Sequence, residues 1–544
     1  MLCIDSAAQT TTPTVAFTPT PDAPMPVAPT FDTPARPLPS SERVGVELDN
    51  QLSLTLEQAI EMALKNNNDI DASRNDSQIS DFSLLGAKGV YDPLLVSENY
   101  YESLTTPTAS AIGGAVNGAV TQKRFFSTAG LSGFSPFAGG NYSTVFNASR
   151  TTTSNTNSFL NPQYPSSLVF EYVQPLWRNR SIDNNRRTIQ IAKKTIDLSD
   201  EQLKLKAVTV VYGVEQAYWD LAFAMRNLQV QIDTLKQSKE QLESNKRLAA
   251  KGVLAPIEVV AANAQISTFE QAVYTAQENI TRAENVLKTF ILPDRTSAEW
   301  SRALTPVTPV NTDVPRIGLD VAVTEAMRNR AEITQLEITA DINRIDQRFF
   351  RNQTKPQIDL VTTYTSQGLS GTETPASINP TTGLSRVPPQ LVGGLFTSLG
   401  NLAALRYPSY HVGVNISLPL RNRTAKANLG RSVVEGDKIA NNRAQQEQIV
   451  EADVRNALQT LRSAESCLES ATNARAAAEE LYASEERQFR AGTTTFYLVL
   501  QRQTELSTAR GRELQARTDL NKAVSEFNRS IGKTLEANNV TVSK

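Results

Sequence analysis

Between Asn184 and Ala250 the chain runs without a proline and with a single glycine, Gly213. At 1.5 Å per residue a helix over that run is about 100 Å long, several times the ordinary length. A stripe of apolar side chains follows it in steps of three and four: Val214, Tyr218, Leu221, Met225, Leu228, Ile232 and Leu235, then Leu242. After a break at Lys251-Gly252 and Pro256, a second stripe runs Ile266, Phe269, Val273, Ala276, Ile280, Ala283, Leu287 and Phe290. A hydrophobic period of 3.5 specifies left-handed packing of helix on helix. No helix of that length wraps a compact core, so it must lie beside others like it.

Composition removes most chemistry from consideration. The 544 residues carry 54 basic and 56 acidic side chains, a net charge of −2, so the basic excess of a nucleic-acid binder is missing. One histidine, His411, and two cysteines, Cys3 and Cys467, are too few for a His/Cys metal site. They also leave almost no choice for a His-dependent nucleophile. Gly532-Lys533-Thr534 imitates a phosphate loop, but Phe527 stands where its first glycine belongs. Carboxylates along the helices alternate with Lys and Arg, as on a solvated face. The reading is of a non-enzyme with no cofactor and no metal.

Charge is distributed unevenly. From 103 to 170 the only charged side chains are Lys123, Arg124 and Arg150, and a second depleted stretch covers about 355–406. Alternating, strand-like pieces border these stretches at 92–101, 167–176, 356–364 and 411–420. A further hairpin is expected from 125–134 and 142–148 around a Pro136/Gly139-Gly140 turn. Alternation with aromatics at the strand ends is the weak signature of an outer-membrane barrel. Four or six strands leave open edges, which lipid does not tolerate, so closure requires several chains. Trp177, at a strand-to-helix join, suits an interfacial belt; a buried core tryptophan is the plainer alternative.

The chain also contains itself twice. Arg247-Leu-Ala-Ala-Lys-Gly252 aligns with Arg487-Gln-Phe-Arg-Ala-Gly492, 240 residues on. At that offset Val214 meets Val454, Leu221 meets Leu461 and Ile291 meets Ile531. Leu56, Ala59, Ala63, Asn66 and Ile70 meet Leu319, Ala322, Ala326, Asn329 and Ile333 at an offset of 263. The organisation expected is repeat 1 over 51–292, with strands 92–101 and 167–176, a long loop 102–166 and a helical hairpin 178–292. A linker 293–315 follows. Repeat 2 covers 316–533, with its helical hairpin at 422–532, and a tail 534–544 ends the chain.

These features resemble the TolC family of outer-membrane efflux channels. Leu54-Thr-Leu-Glu-Gln-Ala-Ile-Glu-Met-Ala-Leu-Lys-Asn-Asn is similar to the family's opening helix. The turns at Gly252 and Gly492 resemble its helical tips, and Val414-Asn-Ile-Ser-Leu-Pro-Leu-Arg-Asn its strand-to-helix transition. The resemblance covers about 52–532. It implies a mainly α fold with β, in which the two repeats of three copies form a transmembrane β-barrel of four strands per copy. A periplasmic α-helical barrel continues it. It implies a homotrimer in outer-membrane lipid, working with a periplasmic adaptor and an inner-membrane transporter in tripartite efflux or type I secretion.

On that footing Arg247, Lys251, Gly252, Val253 and Leu254, with Arg487, Gly492, Thr493 and Thr494, face the adaptor; turn formation alone is the competing account. Where the family's best-known member carries two Asp residues at its entrance, this chain has Leu498 and Gln501, so an acidic ring is not carried over. Glu258 matches Leu498 in the other repeat and is the acid left at that level. The hairpin at 125–148 is not part of the four-strand pattern and either stands above the membrane or enlarges the barrel. A coiled-coil scaffold or fibre would also explain the helices, though not the doubled strand units. A receptor whose loops 102–167 and 365–410 bind a phage or another cell would coexist with a channel.

Residues 1–50, rich in Pro and Thr, read as unstructured. Ser6-Ala7-Ala8 is similar to the end of a signal peptide, and Cys3 is the alternative, as an acylated cysteine.

Overall fold

A computed structural model describes residues 38–40, 42–108, 111–115, 117–309 and 314–541. The chain divides into two units, Met1–Ser41 and Glu42–Lys544, and everything below belongs to the second. The readings of Cys3 and of Ser6-Ala7-Ala8 lie outside the described residues.

In the first half of the chain come β1 (Glu47–Leu54), α1 (Leu56–Asn66), α2 (Asn68–Lys88), β2 (Leu94–Pro107), β3 (Ala119–Phe134), β4 (Asn141–Thr153), β5 (Leu160–Gln163) and β6 (Ser166–Pro175). The long helices α3 (Asn184–Ala250) and α4 (Pro256–Ile291) follow, then β7 (Arg302–Pro306). The second half holds α5 (Leu319–Asn329), α6 (Ala331–Gln353), β8 (Gln357–Gly368), β9 (Gly371–Glu373), α7 (Leu395–Ala403) and β10 (Tyr407–Ser417). It ends with α8 (Arg423–Arg490), α9 (Phe496–Ser530) and α10 (Thr534–Ala537).

The duplication is visible in the elements. α1 and α5 each have 11 residues, and α3 and α8 have 67 and 68. α1 starts where Thr55 and Gln58 satisfy each other's backbone N–H groups, a reciprocal N-cap. Asn67 then caps α2, accepting from the N–H groups of Asp69 and Ile70. Each repeat builds its own core from matching positions. Ala59, Ala63, Ile70, Val214, Leu221 and Ile291 are buried together in one. Ala322, Ala326, Ile333, Val454, Leu461 and Ile531 are buried together in the other.

Three expectations need correction. Residues 47–50, read as unstructured, begin β1, which pairs in parallel with β7 inside the stretch read as linker. Tyr218, fully buried, fixes this junction: its hydroxyl donates to Leu54 O at 2.9 Å and accepts from Thr308 N at 3.0 Å. A period-2 signal of five residues is too short to stand out beside the helices. The tail at 534–544 holds α10, and Leu535 and Val540 pack on the first core. Third, the loop expected over 102–166 is mostly strand: β2 runs on to Pro107, and β3, β4 and β5 follow. The hairpin expected at 125–134 and 142–148 lies within β3 and β4, whereas the extension of β2 and strand β5 were missed because Thr, Ser and Asn suit an exposed strand as well as a loop.

The principal sheet runs β10-β8-β6-β4-β3-β2, every neighbour antiparallel, with β5 and β9 as short additions at one end. Cross-strand register assigns each side chain to a face. One face carries Leu95, Phe125, Leu131, Phe146, Leu168, Phe170, Leu360, Tyr364, Val412, Val414 and Ile416. The other carries Glu98, Glu102, Arg124, Asn147, Glu171, Asp359 and His411. On the apolar face of these strands the only charges are Lys123 and Arg150, toward the end remote from the helices.

Candidate functional site: a strand wall and two helical tips

The strands join the long helices with little between. β6 ends at Pro175 and α3 starts at Asn184; β10 ends at Ser417 and α8 starts at Arg423. Positive-φ Asn179 and Asn422 make the two bends, and Asn422 Nδ2 donates to Gln353 O and Thr354 O. Trp177 sits in the first bend, 49% exposed, so the core-tryptophan alternative does not hold. At the helix end of the sheet Gln174 Nε2 donates to Ala138 O at 2.9 Å and Arg178 Nε to Gln357 Oε1 at 2.6 Å.

At the far ends of the coils, the two turns share one geometry. Gly252 N donates to Ala249 O and Val253 N to Leu248 O; Gly492 N donates to Phe489 O and Thr493 N to Gln488 O. This is the Schellman closure, and it places its glycine in the left-handed region, here at φ +73° and +77°. A second helix starts a few residues on, at Pro256 in one turn and after Thr495 in the other. Arg247, Lys251, Val253, Arg487 and Thr493 are exposed, while Leu254 and Thr494 are half-buried. Thr494 Oγ1 donates to Glu485.

The structure brings the two tips to the same end of the coils. Leu242, Ala262 and Ile266 from one hairpin are buried with Phe496 and Val499 from the other, and Phe489 stacks on Phe496 at 5.6 Å between centroids. Gln265 Nε2 of α4 reaches Thr504 Oγ1 of α9 at 3.4 Å. Leu498 and Gln501 are exposed on α9, Gln501 donating to Glu505 along its own helix. Glu258 is half-buried in the first turn of α4. Among the described residues no hydrogen bond joins Glu258 directly to Leu498 or Gln501.

One feature behind the tips has no counterpart in the sequence reading. Thr234, Ser238 and Asn245 of α3 and Gln503 and Ser507 of α9 are all buried. Gln503 Nε2 donates to Ser238 Oγ at 2.9 Å, and the hydroxyls of Thr234 and Ser507 lie 3.3 Å apart. Asn245, 0% exposed, receives Gln241 on Oδ1 while its Nδ2 has no partner. The seam was detectable as polar residues falling on the apolar stripe.

Among the described residues no cluster of ligating side chains could hold a metal ion, and no helix is long and apolar enough to cross a membrane. The arrangement is a sheet with one apolar and one polar face, continued by coils that end in tight turns.

Comparison with known proteins gives the family. The profile of the outer membrane efflux protein family matches residues 146–291 and 322–533, and the chain belongs to that family. It is a family of outer-membrane channels, not of enzymes, and membership rules out the scaffold or fibre as the chain's role. Among solved structures the fold is similar to the outer-membrane channel OprN: 16% identity, 93% of this chain, 98% of that one, TM-score 0.61. CusC gives 14% identity over 93% and 99%, with a TM-score of 0.62. CmeC of Campylobacter jejuni gives 14% identity over 93% and 94%, with a TM-score of 0.60. A search of curated proteins returns no significant match.

Proposed function

We propose that three copies of this chain form a passive export duct, from closed periplasmic tips at 247–256 and 487–497 to an exit through the strand wall. The observation that carries this is the junction of a two-faced sheet to coils of 67 and 68 residues. The apolar face meets lipid and the polar face lines water. Arg247, Lys251, Gly252, Val253 and Leu254, with Arg487, Gly492, Thr493 and Thr494, form the surface offered to a periplasmic adaptor. The adaptor in turn couples an inner-membrane transporter that supplies the energy. Glu258, Leu498 and Gln501 ring the entrance, and Trp177 marks the periplasmic membrane surface. The cargo is small molecules or polypeptides.

The test is conductance across a planar bilayer, with detergent-extracted protein whose mass has been measured. A trimer giving small, discrete conductance steps is the expected result. A protein that never inserts, or that inserts as a monomer with no conductance, overturns the reading.

A further inference from the structure

We propose that the β3–β4 hairpin is part of the membrane wall, so that three copies close a barrel of eighteen strands, β2 of each copy pairing with β10 of the next. The proposal rests on the trimeric channel reading above and adds the size of the exit.

Four observations place the hairpin in the wall. Its pairing is unbroken: β2 lies on β3 from Leu94 opposite Ser132 to Pro107 opposite Ala119, and β4 lies on β6 from Asn141 opposite Val173 to Ala148 opposite Ser166. β2 and β6, which a four-strand copy would pair with each other, are kept apart by the hairpin. The hairpin turn reaches the helix end of the wall, where Ala138 O accepts from Gln174. There Gly139, at φ +72°, is packed so closely that a Cβ would lie 2.5 Å from Asn179 O. Finally, the two-faced pattern continues through it: Phe125, Ala129, Leu131 and Phe146 share the apolar face, while Arg124, Thr128 and Asn147 share the polar one.

The remaining edges fit one another. β2 runs away from the helices and β10 runs back toward them, so β2 of one copy meets β10 of the next antiparallel. Every residue of β2 is exposed, and every residue of β10 but Gly413. An unpaired strand edge in hydrocarbon leaves its N–H and C=O groups unsatisfied, so a second copy of the complementary edge is the occupant that lipid demands. Strands about 4.8 Å apart and tilted by about 40° give eighteen strands a backbone diameter of about 36 Å, against about 24 Å for twelve. An exit of that width is no bottleneck, and it leaves selection to the tips.

Disulfide trapping tests the proposal in full-length protein carrying Cys3→Ser and Cys467→Ser. Ser97→Cys, Asn99→Cys and Ser103→Cys on β2 are each combined with Val412→Cys on β10, all on the apolar face. Ser97→Cys with Ala129→Cys, opposite each other in the register, is the positive control within one chain. A covalent ladder that ends at three from at least one β2–β10 pair is expected. Ser97→Cys trapping Leu168→Cys of β6 within a conducting trimer would overturn the eighteen-strand wall and leave the channel reading standing. The same holds if the control reacts and no β2–β10 pair does. Absence of both trimer and conductance would instead overturn the channel reading.

Discussion

At the scale of single residues, the two tip glycines sit in a backbone conformation that favours glycine. Both have open space where a side chain would stand, so an alanine there meets no clash and its cost is backbone strain alone. Gly252→Ala and Gly492→Ala should each cost about 1 kcal/mol. Thermal melting checks this, and a similar loss at both tips is expected because their closures match. Glu215 behaves differently. It is buried on α3, and burial pushes its carboxyl above the ordinary 4.5, while hydrogen bonds from Asn538 and Ser525 partly counter this. A carboxyl raised on folding stabilises below its unfolded value, and that stability is lost as pH rises through the folded value. Glu215→Gln should therefore raise the melting temperature near pH 7.5, with the gain shrinking toward pH 4; an equal gain at both pH values would refute the titration. The tip glycines were legible because glycine at a repeated position signals a turn. The state of Glu215 was not, because whether a carboxylate on a heptad faces water depends on which helix lies against it.

At the scale of elements, burial of charge marks where a helix is tied to what surrounds it. Lys288 is 0% exposed; it pairs with Glu284 at 2.8 Å and donates to Trp300 O and Arg302 O at 2.7 Å. Arg43 also reaches Glu284, and Leu304 N donates to it at 3.2 Å, so α4 holds β7 through one buried cluster. Glu284→Gln would leave Lys288 and Arg43 buried without their shared counter-charge, and a loss of about 3–5 kcal/mol is expected from denaturant unfolding. The polar seam behind the tips is the reverse case. Its hydroxyls and amides form neutral hydrogen bonds that water can replace, and Asn245 Nδ2 is unsatisfied. Asn245→Leu should stabilise the coils by about 1–3 kcal/mol, the desolvation cost that the amide now carries. It should also reduce the open time of single channels in a bilayer. The long helices were legible end to end, because a period of 3.5 over so many residues has one solution. The strands of the hairpin were legible in place but not in role, since alternation within one strand cannot say which strand it pairs with.

At the scale of the molecule, duplication explains how one chain supplies both a two-faced sheet and long coils. Two copies of a helix–strand–helix unit, each with its own core, put four long helices and six principal strands in a fixed relation. The repeat was readable from matching residues, whereas the number of strands was not, because the hairpin is an insertion in one half only. Lys123 and Arg150, the charges on the apolar face, mark its outer end and should tolerate Gln with little change in insertion into vesicles. A charge placed mid-face should not be tolerated. On the proposed reading, in which this face meets lipid, Phe170→Arg is expected to cut insertion strongly, since a mid-bilayer Arg on the lipid side of a barrel costs about 2–4 kcal/mol, multiplied over each copy.

Helix α7 lies on that same apolar face, with the hydroxyls of Ser166 and Ser398 2.7 Å apart and Ser366 Oγ donating to Leu402 O at 2.9 Å. Its side chain Phe396 is 87% exposed, and no charged residue occurs from 387 to 405. From this ledge back to Pro175, β6 spans 10 residues. At about 3.4 Å each and a tilt of about 40°, that is a height of about 26 Å, close to the apolar band of an outer-membrane barrel. In the membrane duct proposed above, this helix would work as a waterline painted on the hull, fixing how deep the protein rides, with Trp177 on the keel side. A tryptophan introduced by Phe396→Trp should fluoresce as an interfacial residue, quenched by shallow lipid labels and spared by deep ones.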